Sequence, residues 1–137
     1  MTILTSGLPE HVADQEDLAR FLTQRNYFNS TMVKPAAFLP NPKDRETSVS
    51  RHGKNPVERL WEIGLIAAGS RSLYGAAIFK ARAVRGTQLD VFVNEPPIFH
   101  AAIRGWPWVE SDPELQKAKQ KELAVRIAVV AGPPFLR

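Results

Sequence analysis

Apolar positions along the chain fall into blocks of different period. Over Asp14–Phe28, Leu18, Phe21 and Leu22 recur at helical spacing behind Asp14, Glu16 and Asp17. Carboxylates suit the positive end of a helix and Asp14 suits its cap, so the pattern predicts a helix over 14–28. Asn29–Thr47 carries Pro35, Pro40 and Pro42 among Lys34, Lys43 and Arg45. Three prolines break any helix or central strand, and a long loop anchored by Phe38 and Leu39 is expected. Thr47–Arg51 reads as a short strand around Val49. A turn through His52-Gly53-Lys54-Asn55 follows, and then a helix with Asn55 as cap and Pro56 as its first residue. Val57, Leu60, Trp61, Gly64 and Leu65 make its apolar stripe, and Gly69 is its stop.

From Leu73 to Ile103 the period changes to two. Ala77, Phe79, Ala81 and Ala83 alternate with Ile78, Lys80 and Arg82, and Leu89, Val91 and Val93 alternate with Asp90 and Phe92. Phe99, Ala101 and Ile103 alternate with His100, Ala102 and Arg104. Arg85-Gly86-Thr87 and Asn94-Glu95-Pro96-Pro97 have turn chemistry, so three strands of an antiparallel meander are expected. A last helix opens at Ser111 or Asp112 with Pro113 and Glu114 and runs to about Ala128. Its half with Lys117, Lys119 and Lys121 should be exposed, its apolar end buried, and Gly132-Pro133-Pro134 ends regular structure. Strands cluster rather than alternate strictly with helices. The pattern therefore predicts an α+β fold, a small antiparallel sheet of about four strands with about three helices packed on one face. One domain over 1–137 is expected, with 1–12 and 132–137 as loosely ordered tails.

Composition narrows the function classes. The chain has 137 residues, and 44% of them are hydrophobic, enough for one core without staples. It has no cysteine, which removes disulfides, thiolate metal sites and a cysteine nucleophile, and suits a reducing compartment. Met1–Glu10 lacks the basic segment and apolar run of a signal peptide. The longest apolar runs, Ile63–Gly69 and Ile127–Phe135, fall far short of the ~20 residues that cross a bilayer. A cytoplasmic location without a membrane partner is expected. The net charge of +4 is unevenly spread: residues 1–30 carry −2 and residues 31–60 carry +3. A basic chain of this kind suits anionic partners such as nucleic acid or nucleotides.

No phosphate-binding loop, dinucleotide turn, HExxH, nucleophile elbow or EF-hand occurs. His11, His52 and His100 stand far apart at no metal-ligand spacing, so neither a metal nor a cofactor is expected. Three segments carry candidate chemistry. Arg51, His52 and Lys54 precede a predicted helix, whose unpaired amides and partial positive charge hold a phosphate or carboxylate. His100 and Arg104 share one face of a predicted strand, and a basic sheet face binds nucleic acid when it also presents a stacking aromatic, for which Phe92 is available if the register permits. Trp106 and Trp108 flank Pro107 and serve either as stacking residues or as core anchors. His52 and His100 are the candidates for a general acid and base.

The segments Ser48-Val49-Ser50-Arg51, Trp61-Glu62-Ile63-Gly64 and His100-Ala101-Ala102-Ile103-Arg104-Gly105-Trp106-Pro107, with Glu122-Leu123-Ala124 in the last helix, resemble a group of short bacterial proteins without an assigned activity. The resemblance spans roughly residues 20–130 and implies a bacterial cytosolic protein. It assigns no catalytic residue. The leading expectation is binding of an anionic ligand, nucleic acid or nucleotide, by Arg51, His52, Lys54, His100, Arg104 and Trp106. The alternative is a non-enzymatic protein-interaction subunit or homodimer. A third is a metal-independent nuclease or phosphodiesterase using His52 and His100. The sequence leaves open whether the chain is an enzyme.

Overall fold

Leu18-Ala19-Arg20-Phe21-Leu22 is a run in which both parities are needed by a core. In the computed structural model, which describes residues 6–52 and 56–137, it forms the strand β1, Asp17–Leu22. This corrects the expected helix over 14–28. Leu18 and Leu22 join one core cluster, while Ala19 and Phe21 join another on the opposite face. A strand covered on both sides reads as a nearly continuous apolar run, which periodicity alone does not separate from a helix.

The remaining strands are β2 (Thr47–Arg51), β3 (Gly75–Lys80), β4 (Asp90–Val93), β5 (His100–Arg104) and β6 (Phe135–Leu136). They form one six-stranded antiparallel sheet in the order β4-β5-β2-β1-β3-β6. The sheet thus has six strands rather than about four, because β1 replaces a helix and the expected C-terminal tail supplies β6. Gly75 permits the last pairing: a Cβ there would lie 2.5 Å from the Phe135 carbonyl oxygen. Only β4 and β5 make the expected meander contact. β3 instead pairs with β1 and β6.

Among the described residues the three α-helices are α1 (Val57–Ala68), α2 (Ala81–Arg85) and α3 (Pro113–Ala131). Strand β3 stops where α2 begins, although alanines at 77, 81 and 83 prolong the alternation. Ala81 and Val84 are the buried residues of α2, a helical spacing. Its first amides are satisfied by the preceding chain, Ala81 N–H by the Glu16 carbonyl and Arg82 N–H by the Asp14 carbonyl. Asp112 caps α3 by accepting from Leu115 N–H at 3.1 Å, as its sequence implied.

The helices do not share one face. Leu123, Ala124, Ile127 and Ala128 of α3 pack with Phe38, Leu18, Leu22, Val49, Phe79 and Ile103. Phe38 meets Phe79 edge to face at 5.6 Å. Leu60 and Ile63 of α1 pack on the other face, over Ala19, Phe21 and Ala76. Of the stripe expected on α1, Leu60 and Gly64 are buried, whereas Val57 and Leu65 are exposed. The apolar end of α3 is likewise only partly covered, since Val129 and Val130 face outward. Among the described residues no helix is long and apolar enough to cross a membrane.

Candidate functional site

β1 is bonded to β3 along its whole length but meets β2 only at Leu18↔Arg51 and Ala19↔Ser50. Beyond Ala19 the two strands splay. Arg20 fills the opening, donating from Nε to the Ala37 carbonyl at 2.6 Å and from Nη1 to the Ser48 carbonyl at 2.9 Å. Above the splay, on the α1 face, lies a cleft of about 260 Å³. Phe21, Ile63, Ile66, Ala67, Pro97 and Ile98 give it apolar walls. Arg20, Arg71, His100, Thr23, Ser48 and Ser50 give it polar groups. No carboxylate lines it among the described residues.

The cations of this cleft are fixed but not neutralised. Arg71 follows α1 and donates from Nε to the Ala68 carbonyl and from Nη2 to the Ala67 carbonyl, a favourable place for a cation at a helix C-terminus. Neither Arg71 nor Arg20 has a carboxylate within ion-pair distance among the described residues. Burial lowers the pKa of the Arg20 guanidinium, the Tyr27 hydroxyl beside it raises it, and the nearby charge of Arg71 lowers it again. The net shift is downward. The two guanidiniums are close enough to repel each other, and an anion between them would relieve that repulsion.

His100 is held through one ring nitrogen. Its Nδ1 lies 2.8 Å from the Asn94 carbonyl oxygen, which only accepts, so Nδ1 donates to it and Nε2 is the ring nitrogen left for other contacts. The segment before it is tightly bound: Glu95 accepts from Phe99 N–H and Ser6 N–H, and Phe99 holds a positive φ of 67°. Strained residues of this kind concentrate at ligand sites.

The described start of segment 50–56 does adjoin segment 98–106, because β2 pairs with β5 through Ser50↔His100. Strand alternation nevertheless separates the candidates. Arg51 is fully buried on the α3 face, bonded to both carboxylate oxygens of Glu16 at 2.8 and 2.7 Å and to the Pro9 carbonyl at 2.7 Å. Trp106 is buried in the same core, and its Nε1 has no hydrogen-bond partner among the described residues. Arg104 shares the face of His100, but its Nε is paired with Glu46 and its guanidinium lies 5.2 Å from the Phe92 ring centre. His52 donates its backbone N–H to the Asp17 carbonyl and does not line the cleft. Lys54, with Gly53 and Asn55, lies outside the described residues.

Among the described residues, only His100 of the expected set lines the cleft. Sequence reasoning missed Arg20 and Arg71. The available signals were an arginine interrupting the Leu18/Leu22 parity of β1 and a cation just past the Gly69 helix stop. Among the described residues no group of three His, Asp or Glu side chains is placed to hold a metal. Neither a family model nor a curated protein nor a solved structure matches the chain.

Proposed function

We propose that this chain binds a small organic anion in the cleft between α1 and the sheet, with a nucleotide as the ligand class. One observation carries the reading: Arg20 and Arg71 face the same cleft without a carboxylate counter-ion among the described residues. Guanidiniums match phosphate oxygens in geometry and charge. The hydroxyls of Thr23, Ser48 and Ser50 and Nε2 of His100 supply polar contacts. The apolar walls suit a flat ring. A volume of about 260 Å³ suits a ligand smaller than a typical drug. Binding is favoured over hydrolysis, because proton transfer needs two groups in reach of the ligand and His52 does not line the cleft. The reading belongs with a cytoplasmic setting, where nucleotides are abundant.

The test is calorimetric titration with AMP, UMP and inorganic phosphate at low and at moderate salt. Saturable binding that weakens with salt is expected, as is a loss of about tenfold in Arg71→Ala, the scale of one charge-assisted hydrogen bond. No binding of any of the three at millimolar concentration, or full affinity in Arg71→Ala, overturns the reading.

A further inference from the structure

Among the described residues, helix α1 packs mainly over the β1 and β3 part of its face, with Phe99 before β5 at its margin. Over β2, β5 and β4 the register sets Ser48, Ala102 and Phe92 in one cross-strand row, through Ser48↔Ala102 and Phe92↔Ala102. Ser48 lines the cleft at one end of this row. Phe92, at the other end, is 43% exposed on an edge strand. The two stand two strand spacings apart, roughly 10 Å. Arg104, next to Phe92 on the same face, covers part of its ring, and His100 flanks the row at the cleft side. The acids at the far end are already neutralised: Glu46 pairs with Arg104, and Asp90 with Arg85. The row thus joins an unneutralised cationic cleft to an exposed aromatic ring backed by a guanidinium.

Resting on the reading of the cleft as a nucleotide site, we propose that the natural ligand is a single-stranded nucleic acid, with one nucleotide in the cleft and the next stacked on Phe92. Stacking on an exposed aromatic beside cations is how single strands are held without sequence readout, since every base has a π-face. Ala102, between Ser48 and Phe92, is itself fully buried, so a strand crossing the row would pass over the side chains that flank it. A protein partner is less suited to the row, because its unpaired charge is positive at the cleft and its apolar content is confined to one ring.

The experiment compares AMP with tetra-adenylate on the full chain, by calorimetry and by fluorescence anisotropy. Tetra-adenylate is expected to bind at least about tenfold more tightly than AMP, the scale of one base–aromatic stack. Phe92→Ala should abolish that gain and leave AMP affinity unchanged, and Phe92→Tyr should retain it. Arg71→Ala should weaken both ligands. AMP binding without a gain for tetra-adenylate overturns this proposal and leaves the nucleotide reading standing. Failure of both ligands overturns both. A tetra-adenylate gain that survives Phe92→Ala puts the strand elsewhere and overturns the proposal, as does light scattering in which Phe92→Ala dissociates a dimer of the chain.

Discussion

Arg51 and Arg71 are the same side chain on opposite faces of one sheet. Arg51 points from β2 into the core closed by α3, where Glu16 and the Pro9 carbonyl occupy its donors and no surface remains exposed. Arg71 stands past the end of α1 on the half-open face, exposed, bonded to two helix carbonyls and to no carboxylate among the described residues. Charge alone therefore does not mark a binding residue. What separates the two is whether the fold supplies the counter-ion. Where it does, the arginine fixes structure, here by tying the segment before β1 to β2. Where it does not, the charge stays open, and the proposed ligand would meet it there.

Glu16→Ala is the substitution that breaks the closed face most deeply. It leaves a fully buried guanidinium uncompensated and should cost about 3–5 kcal/mol in urea unfolding. On the half-open face, Gly64→Ala should cost about 1–3 kcal/mol. The added Cβ would lie 2.7 Å from Cε1 of Phe21 and 2.9 Å from Cδ2 of Leu73, so those side chains or α1 itself must shift. Because Phe21 is a cleft wall, AMP affinity should fall with it, a coupling absent from Glu16→Gln if that variant remains folded.

Acid sharpens the comparison further. Burial opposes ionisation of Glu16, but its hydrogen bonds to Arg51 and to Ala13 N–H, with the Arg51 and Arg85 charges, outweigh that and hold its pKa below the ordinary value of 4.5. A depressed folded-state pKa gives stability that is complete above the unfolded value and lost as pH falls through the folded one. The urea midpoint should therefore decline as pH drops below about 4.5, and Glu16→Gln should flatten that decline. A wild-type midpoint that stays level down to pH 3 contradicts the assignment. Arg71→Ala should have the smallest effect on stability, about 0.3–1 kcal/mol from the helix C-terminus, while having the large effect on anion binding. A stability loss comparable with that of Glu16→Ala would make Arg71 another structural arginine.

Much of the local structure was legible along the chain. Asp112 and Pro113 begin α3, Gly69 ends α1, and Thr47–Arg51 is a strand, because caps, stops and short β-branched runs act within a few residues of themselves. β1 was not legible, since a strand buried on both faces loses the alternation that would reveal it. β6 was hidden behind two prolines, and its pairing depends on Gly75, some sixty positions earlier. The site was less legible still. The period of two placed His100 and Arg104 on one face, and it left the position of Phe92 to the register, which puts it beside them.

The sequence by itself determined the α+β character, the lack of thiol chemistry, the basic balance and which residues share a strand face. Only the tertiary structure decided which face is sealed. That choice rests on long-range packing: α3 and Phe38 close one side, α1 closes half of the other, and β1 and β2 part after Ala19. It placed Arg51 beside Glu16, took Trp106 into the core, and brought Arg20, Arg71 and His100, far apart in the chain, around one cleft. An arginine's role depends on its counter-ion, and counter-ions are assigned by packing.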